Sequence, residues 1–229
     1  MFVFYRLLVA AYAVTITFMS MRLHSSHLLP WPVWLTNWSY LLLTCHLLCA
    51  AVIVVLSTYI ERGQFTLRCR QHSAYSLTSS VPCYTRFSWF LFAVAAPAAV
   101  MVSAVYFASL FPRFDRTYLN FEDANLHLMN TVLVVLELTV SAFPVRLLHA
   151  VYVWCYGLAY VVFSAVYWAF DHSHVMYPGL LDWNDPATTA VVLAIIAVVG
   201  IPLLQCILFS IYQLRMYVYN HCACLQSRG

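Results

Sequence analysis

Six windows of about 20 mostly apolar residues follow one another along this chain, each bounded by arginine, acidic residues or proline. A membrane-spanning helix needs about 20 such residues, because a rise of about 1.5 Å per residue must cross about 30 Å of hydrocarbon. The pattern predicts one all-α domain over residues 1–229, a polytopic transmembrane bundle of six helices. The predicted spans are residues 2–21, 37–59, 87–110, 127–143, 149–170 and 188–214.

The composition excludes a water-soluble globular protein. Apolar residues make up 64% of the chain and charged residues 8%, against about 45–50% and about 25% in soluble domains. The net charge of +3 comes from dispersed arginines, without the basic cluster that a nucleic-acid partner requires. We therefore expect membrane lipids as partners and no nucleic acid.

The first apolar window begins at the initiator methionine, where a secretory signal peptide would also lie. A retained helix is favoured, because the apolar stretch is longer than a signal core and Met21-Arg22-Leu23 lacks the small residues that cleavage needs. An even number of spans then places both termini on one side of the membrane. With cytosolic termini, eight arginines fall inside and only Arg22, Arg113 and Arg116 fall outside, as the positive-inside rule requires.

In this topology no cysteine faces the oxidising side, so a disulfide framework is not expected. Cys222 and Cys224 follow the last span directly, which is the position of a palmitoylation site, with two unmodified thiols as the alternative. His221 with these two thiols would offer three crowded ligands and no fourth, so no metal is expected.

The fourth predicted helix carries polar residues where lipid is expected. At about 100° per residue, His127, Asn130 and Glu137 share one narrow sector, and we expect Glu137 near the membrane middle. The sector must face the bundle interior, since an unpaired ionisable group in hydrocarbon costs at least a few kcal/mol. Hydrogen bonds between helices are one explanation of these residues and a functional site is the other.

A transport path through Asn130, Glu137 and His46 is the weakest interpretation of the polar residues. The sequence offers Glu137 no buried arginine or lysine partner and contains no inverted repeat.

Thr36 stands at the start of the second helix, which by parity lies on the same outer side of the membrane as His127. A threonine hydroxyl is a weak nucleophile unless a base takes its proton, and a nearby histidine can do so near neutral pH. The topology permits such a pair without requiring it, because the second and fourth helices need not be neighbours.

Four segments in register over nearly the whole chain resemble the rolling stone family of polytopic membrane proteins. They are Trp34–Trp38, His127–Asn130, Phe143–Tyr152 and Tyr177–Trp183. The resemblance implies a role in cell–cell fusion, especially of myoblasts, with protein partners in that process. It also implies the plasma membrane rather than the endoplasmic reticulum, and it implies no molecular mechanism.

A more distant similarity is to the androgen-inducible membrane hydrolases, which cleave fatty-acid esters of hydroxy fatty acids and use a threonine and a histidine. Their threonine follows a leucine at a helix start, as Thr36 does, and their histidine stands ten residues before a glutamate, as His127 stands before Glu137. The similarity implies a lipid-ester hydrolase without a cofactor, with Thr36 as nucleophile and His127 as base. An alternative register in the second helix would place Leu42 at the nucleophile position instead, and a separate one in the fourth helix would place Asn130 at the histidine position. Either of them would remove the pair.

The last outer loop carries Tyr177, Asp182 and Trp183 close to the membrane surface. Tyrosine and tryptophan favour that depth because one end of the side chain is polar and the other apolar, so membrane anchoring is the simpler expectation. The alternative is that the loop forms a lid over the outer mouth of the bundle, above Thr36 and His127.

Overall fold

The computed structural model describes residues 2–23, 30–68, 83–113, 118–141, 143–173 and 175–226, without the side chains of residues 61–68, 113 and 222–226. Over these residues the chain forms six helices and no β-strand, as the apolar windows predict. The helices are α1 (Phe2–Leu23), α2 (Leu35–Arg68), α3 (Cys83–Val105 with the π-helical turn Tyr106–Leu110), α4 (Phe121–Asp123, the π-helical turn Ala124–Leu128 and Met129–Val140), α5 (Ala150–Phe170) and α6 (Pro186–Ile195, the π-helical turn Ile196–Gly200 and Ile201–Gln226).

Side-chain caps explain where two of these helices begin. The side chain of Asn120 accepts a hydrogen bond from the Asp123 amide at 2.7 Å at the start of α4. The carboxylate of Asp185 accepts one from the Thr188 amide at 3.2 Å, and Pro186 occupies the first position of α6. Each helix therefore begins slightly before the apolar window that predicts it.

Five of the six described helices are long and apolar enough to cross a membrane, namely all except α4. The exception carries Glu122 and Asp123 in its first turn and Glu137 near its end. The all-α membrane bundle is confirmed, while six spans with two cytosolic termini stay a prediction.

The outer surface of the bundle suits a lipid environment. Large apolar side chains such as Phe4, Leu158 and Val198 point outward and are 70%, 64% and 73% exposed. An apolar surface of this extent would be unstable in water, whereas lipid tails cover it without penalty.

The main core lies where α1, α2, α3, α4 and the second half of α6 meet. Ala13, Ala95 and Ala99 are fully buried there, which allows close approach of the helix backbones. Leu47 and Val134 fill the space between them. The first apolar window is therefore a packed helix of the bundle.

Helix α4 occupies residues 121–140 rather than the predicted 127–143. It begins earlier because Asn120 caps it, and it ends at Val140, since the backbone of Ser141 is extended. Glu137 consequently lies in the last turn of α4, and its depth near the membrane middle stays a prediction.

Candidate functional site

An apolar cavity of about 850 Å³ lies between α3, α5 and α6, beside the first turn of α2. This volume is within the range of about 300–1,000 Å³ typical of small-molecule sites. Its apolar wall includes Met101, Val102, Leu158, Val161, Leu193 and Ile201. The cavity is suited to an apolar ligand of substantial size.

All three π-helical turns of the described chain contribute to the wall of this cavity. The first supplies Tyr106, the second His127, and the third Ile196, Ala197 and Val198. π-helical turns are rare and occur frequently at functional sites. No sequence pattern predicts a π-helical turn, so the sequence analysis did not identify these three turns.

The third π-helical turn also joins α6 to α5. The carbonyl oxygen of Ala197 accepts a hydrogen bond from the indole Nε1 of Trp154 at 2.8 Å. The contact fixes the spacing of the two helices at one end of the cavity.

Thr36 and His127, the suspected nucleophile and base, both line the cavity. Across the described residues, no hydrogen bond connects the Thr36 hydroxyl to the His127 ring. The two residues that the alternative registers select lie away from this cavity. Leu42 packs against the main core, and Asn130 is fully buried between α4 and α2. The structure thus places the first pair of residues at one cavity without placing them in contact.

The imidazole of His127 is held by stacking. Its ring lies parallel to that of Tyr106, with ring centroids 3.5 Å apart, and the residue is 9% exposed. Its Nδ1 is buried without a hydrogen-bond partner, while its backbone carbonyl accepts a hydrogen bond from Ser103. A histidine that acts as a base usually has a partner on its second nitrogen. Here aromatic stacking defines the ring plane instead.

Two tyrosine hydroxyls lie beside the first turn of α2. The Tyr177 hydroxyl accepts a hydrogen bond from the Leu35 amide at 2.9 Å, and the Tyr160 hydroxyl donates one to the Val33 carbonyl at 2.7 Å. Burial raises the pKa of Tyr177, and hydrogen bonds with Tyr160, Leu35 and Thr36 lower it in part. The Tyr177 hydroxyl therefore keeps its proton at neutral pH and can donate it to a ligand oxygen.

The loop between α5 and α6 covers one end of the cavity. Tyr177, Leu180 and Leu181 line the cavity from this loop. A turn brings them together, because Gly179 adopts a φ of 69° and the Leu181 amide donates to the Tyr177 carbonyl at 2.9 Å.

Asp182 and Trp183 attach this loop to the helices on either side of it. The Asp182 amide donates to the hydroxyl of Thr189 on α6 at 2.9 Å. The Trp183 indole donates to the hydroxyl of Ser164 on α5 at 3.1 Å. These two residues position the loop, and Tyr177 is the one that contacts the candidate site.

Glu137 belongs to a second, separate polar cluster. Its carboxylate lies 2.6 Å and 2.7 Å from the Nη1 of Arg6, and the two residues are 0% and 4% exposed. Ser141 donates to the same carboxylate at 3.2 Å, and the Nε2 of His46 lies 3.5 Å away. The expectation that Glu137 lacks a buried basic partner is therefore wrong.

The sequence did contain a signal for this pairing. Arg6 is the only arginine within the first predicted span, residues 2–21. An arginine in a membrane helix requires either a buried partner or a side chain that reaches water. The charge count for the membrane orientation treated Arg6 as an inner-surface charge, whereas its side chain lies within the bundle.

Asn130 has a third environment, where its Nδ2 donates to the Ser39 hydroxyl on α2 at 3.4 Å. His127, Asn130 and Glu137 are thus all buried, and each lies in a different environment. The side chains of Cys222 and Cys224 lie outside the described part of the chain. Over the residues that are described, no three histidine, cysteine or acidic side chains are grouped so that they could hold a metal ion.

Comparison with known proteins gives one consistent result. A family model described as Protein rolling stone matches residues 1–227. The chain is 28% identical over 194 residues to Protein rolling stone of Drosophila melanogaster, an alignment that covers 80% of this chain and 66% of the relative. The chain thus spans just under two thirds of that relative's length. No solved structure matches it.

Proposed function

Since this chain belongs to the rolling stone family of multi-pass membrane proteins, we propose that it binds a lipid ester in its apolar cavity and hydrolyses that ester with Thr36 and His127. One observation carries the proposal. Two residues far apart in sequence, a threonine and a histidine whose chemistry suits a nucleophile and a base, line the same apolar cavity.

The reaction follows from the two side chains. His127 takes the proton of the Thr36 hydroxyl while that oxygen attacks the ester carbonyl, and the ester C–O bond then breaks as the proton passes to the leaving alcohol. His127 next takes a proton from water, which attacks the acyl-threonine. The fatty acid leaves, and the proton returns to the Thr36 oxygen.

The first turn of α2 supplies donors for the negative charge that develops on the carbonyl oxygen. Amides at a helix start have no partner within their own helix, and the helix dipole favours negative charge there. The Leu35 amide and the Tyr177 hydroxyl lie at this position and are bonded to each other. The Leu35 amide donates its single hydrogen to the Tyr177 oxygen, so Tyr177 keeps its own O–H as the donor to a substrate oxygen.

The separation of Thr36 from His127 is compatible with this chemistry. Catalytic hydrogen bonds are often long or absent without substrate and tighten only in the complex. A bound ester is the element that bridges the two residues.

The decisive experiment measures hydrolysis of a fatty-acid ester of a hydroxy fatty acid by the purified protein in detergent. Thr36→Val keeps the shape of the side chain and removes the nucleophile, so turnover should vanish, while His127→Ala should lower it about 10²–10⁴-fold. Thr139→Val is the matched control, because Thr139 is exposed and bonds only to its own helix. Turnover that survives Thr36→Val, or a folded wild type without turnover, would refute the proposal.

We further propose that the protein acts in cell–cell fusion at the plasma membrane, which membership of the family supports. Fusion of cultured myoblasts that carry either the wild type or Thr36→Val separates two modes of action. Failure of Thr36→Val at normal surface level would tie fusion to hydrolysis. If cells with Thr36→Val fuse and cells with Trp183→Ala do not, the role in fusion would instead depend on contacts of the loop between α5 and α6.

A further inference from the structure

Gly157, in the first half of α5, leaves open space in the wall of the cavity. A Cβ atom at this position would meet no heavy atom within 4 Å. The residues one turn before and after it on the same face, Val153 and Tyr160, are both buried. A side chain at position 157 would therefore point inward and occupy cavity volume.

The cavity has polar side chains at one end and apolar side chains along the rest of its wall. Thr36 and Tyr177 present hydroxyls beside the start of α2, whereas Met101, Ile196 and Ile201 form a purely apolar wall farther along α3 and α6. A ligand that satisfies both parts has a polar group at one end and a hydrocarbon chain on the other side of it.

The cavity also reaches the lipid-facing surface between α5 and α6. Leu158 and Val198 belong to its wall, yet they are 64% and 73% exposed. The contact of Trp154 with the Ala197 carbonyl bounds this gap on one side. Because the rim of the gap is apolar, a hydrocarbon chain can pass through it without contacting water.

We infer that the acyl chain of a membrane lipid lies in the cavity, that it passes sideways between α5 and α6, and that Gly157 determines how much of the chain the cavity holds. This inference rests on the proposed function, in which the cavity binds the substrate. The substrate class is then a lipid that inserts a single acyl chain into the cavity. Binding of the chain requires neither the Thr36 hydroxyl nor turnover.

Photolabelling of the purified protein with diazirine-bearing palmitate tests this inference. Gly157→Phe should lower labelling at least about tenfold, and Gly157→Leu should give an intermediate value. The matched control is Ala159→Phe, which adds a similar bulk on the exposed side of the same helix and should leave labelling unchanged. Label should map to peptides of α5 and α6.

One further variant and a second probe keep the outcomes distinct. A Thr36→Val protein that is inactive but labelled like the wild type would support the inference whether or not hydrolysis is established. If Gly157→Phe fails to fold, Gly157→Leu and the octanoate analogue of the probe decide the question, because a shorter chain should tolerate the smaller cavity. Labelling of Gly157→Leu and Ala159→Phe to the same extent with both probes would overturn the inference.

Discussion

The ion pair of Arg6 and Glu137 joins α1 to the end of α4 inside the bundle. Both carboxylate oxygens contact the guanidinium, and Ser141 accepts a further hydrogen bond from Arg6. Removing two charges from water is costly, and their attraction offsets that cost only while both partners are present. The pair therefore specifies the position of α1 more than it adds net stability.

Replacement of one partner should be far more harmful than replacement of both. We expect Arg6→Met to lower the free energy of unfolding by about 3–5 kcal/mol, because it leaves the Glu137 carboxylate buried without a cation. The double variant Arg6→Met with Glu137→Leu should recover much of that loss. Unfolding in mixed micelles measures both values, and a double variant less stable than Arg6→Met would contradict the argument.

The Tyr177 hydroxyl is the partner of the first amide of α2. Tyr177→Phe keeps the ring in place and leaves the Leu35 amide without an acceptor, which should lower stability by about 1–3 kcal/mol. Tyr219→Phe, at an exposed tyrosine of α6, serves as control and should change little. Equal thermal midpoints for the two variants would mean that the amide is satisfied in another way.

At the scale of helices, the three π-helical turns shape the cavity. Each such turn contains one residue more than an α-helical turn, so the helix on either side of it is rotated relative to a regular helix. In α6 the turn Ile196–Gly200 separates the N-terminal segment, Pro186–Ile195, from the C-terminal segment that packs in the main core. It also leaves the Ala197 carbonyl available to Trp154.

Deletion of Val198 should convert this turn to regular α-helix and remove its extra width, while the segments of α6 on either side keep their orientation. The contact between Trp154 and the Ala197 carbonyl would then be lost, and labelling by the diazirine palmitate should disappear with a lower thermal midpoint. Val198→Ala changes the same exposed residue without changing the register, so its labelling should persist. Retained labelling after the deletion would show that the turn does not form the cavity.

For the whole molecule, the number of spans depends on whether α4 crosses the membrane. From Phe121 to Val140 it is about 30 Å long, which is sufficient for the hydrocarbon core. Its buried acid, Glu137, is neutralised by Arg6 and does not face lipid. Both facts favour six spans over five.

Six spans place both termini on one side of the membrane, which the arginine distribution predicts to be the cytosol, whereas five would place them on opposite sides. We expect epitope tags at either terminus to bind antibody only after cells are permeabilised. A tag inserted after Ser173, in the exposed part of the loop between α5 and α6, should be accessible on intact cells, because six spans from a cytosolic N-terminus place this loop outside and five would place it inside. Access to one terminus alone on intact cells would exclude the six-span topology.

The sequence by itself determined the class of the molecule and the order of its helices. Hydropathy is a local quantity, since the transfer free energy of about 20 consecutive residues decides whether they form a membrane helix. Helical periodicity, which is also local, predicted that His127, Asn130 and Glu137 lie on one buried face of α4. Spacing along the chain and the family resemblance also selected Thr36 and His127, two residues that line one cavity.

Only the tertiary structure decided which of these residues meet. The partner of Glu137 is Arg6, 131 positions away in the chain, and the cavity is built by helices whose proximity no periodicity reveals. Packing between helices depends on the fit of whole surfaces and on rare backbone turns, and neither leaves a local pattern. For this reason the sequence indicated the candidate residues, while the cavity, its polar end and the open space at Gly157 required the fold.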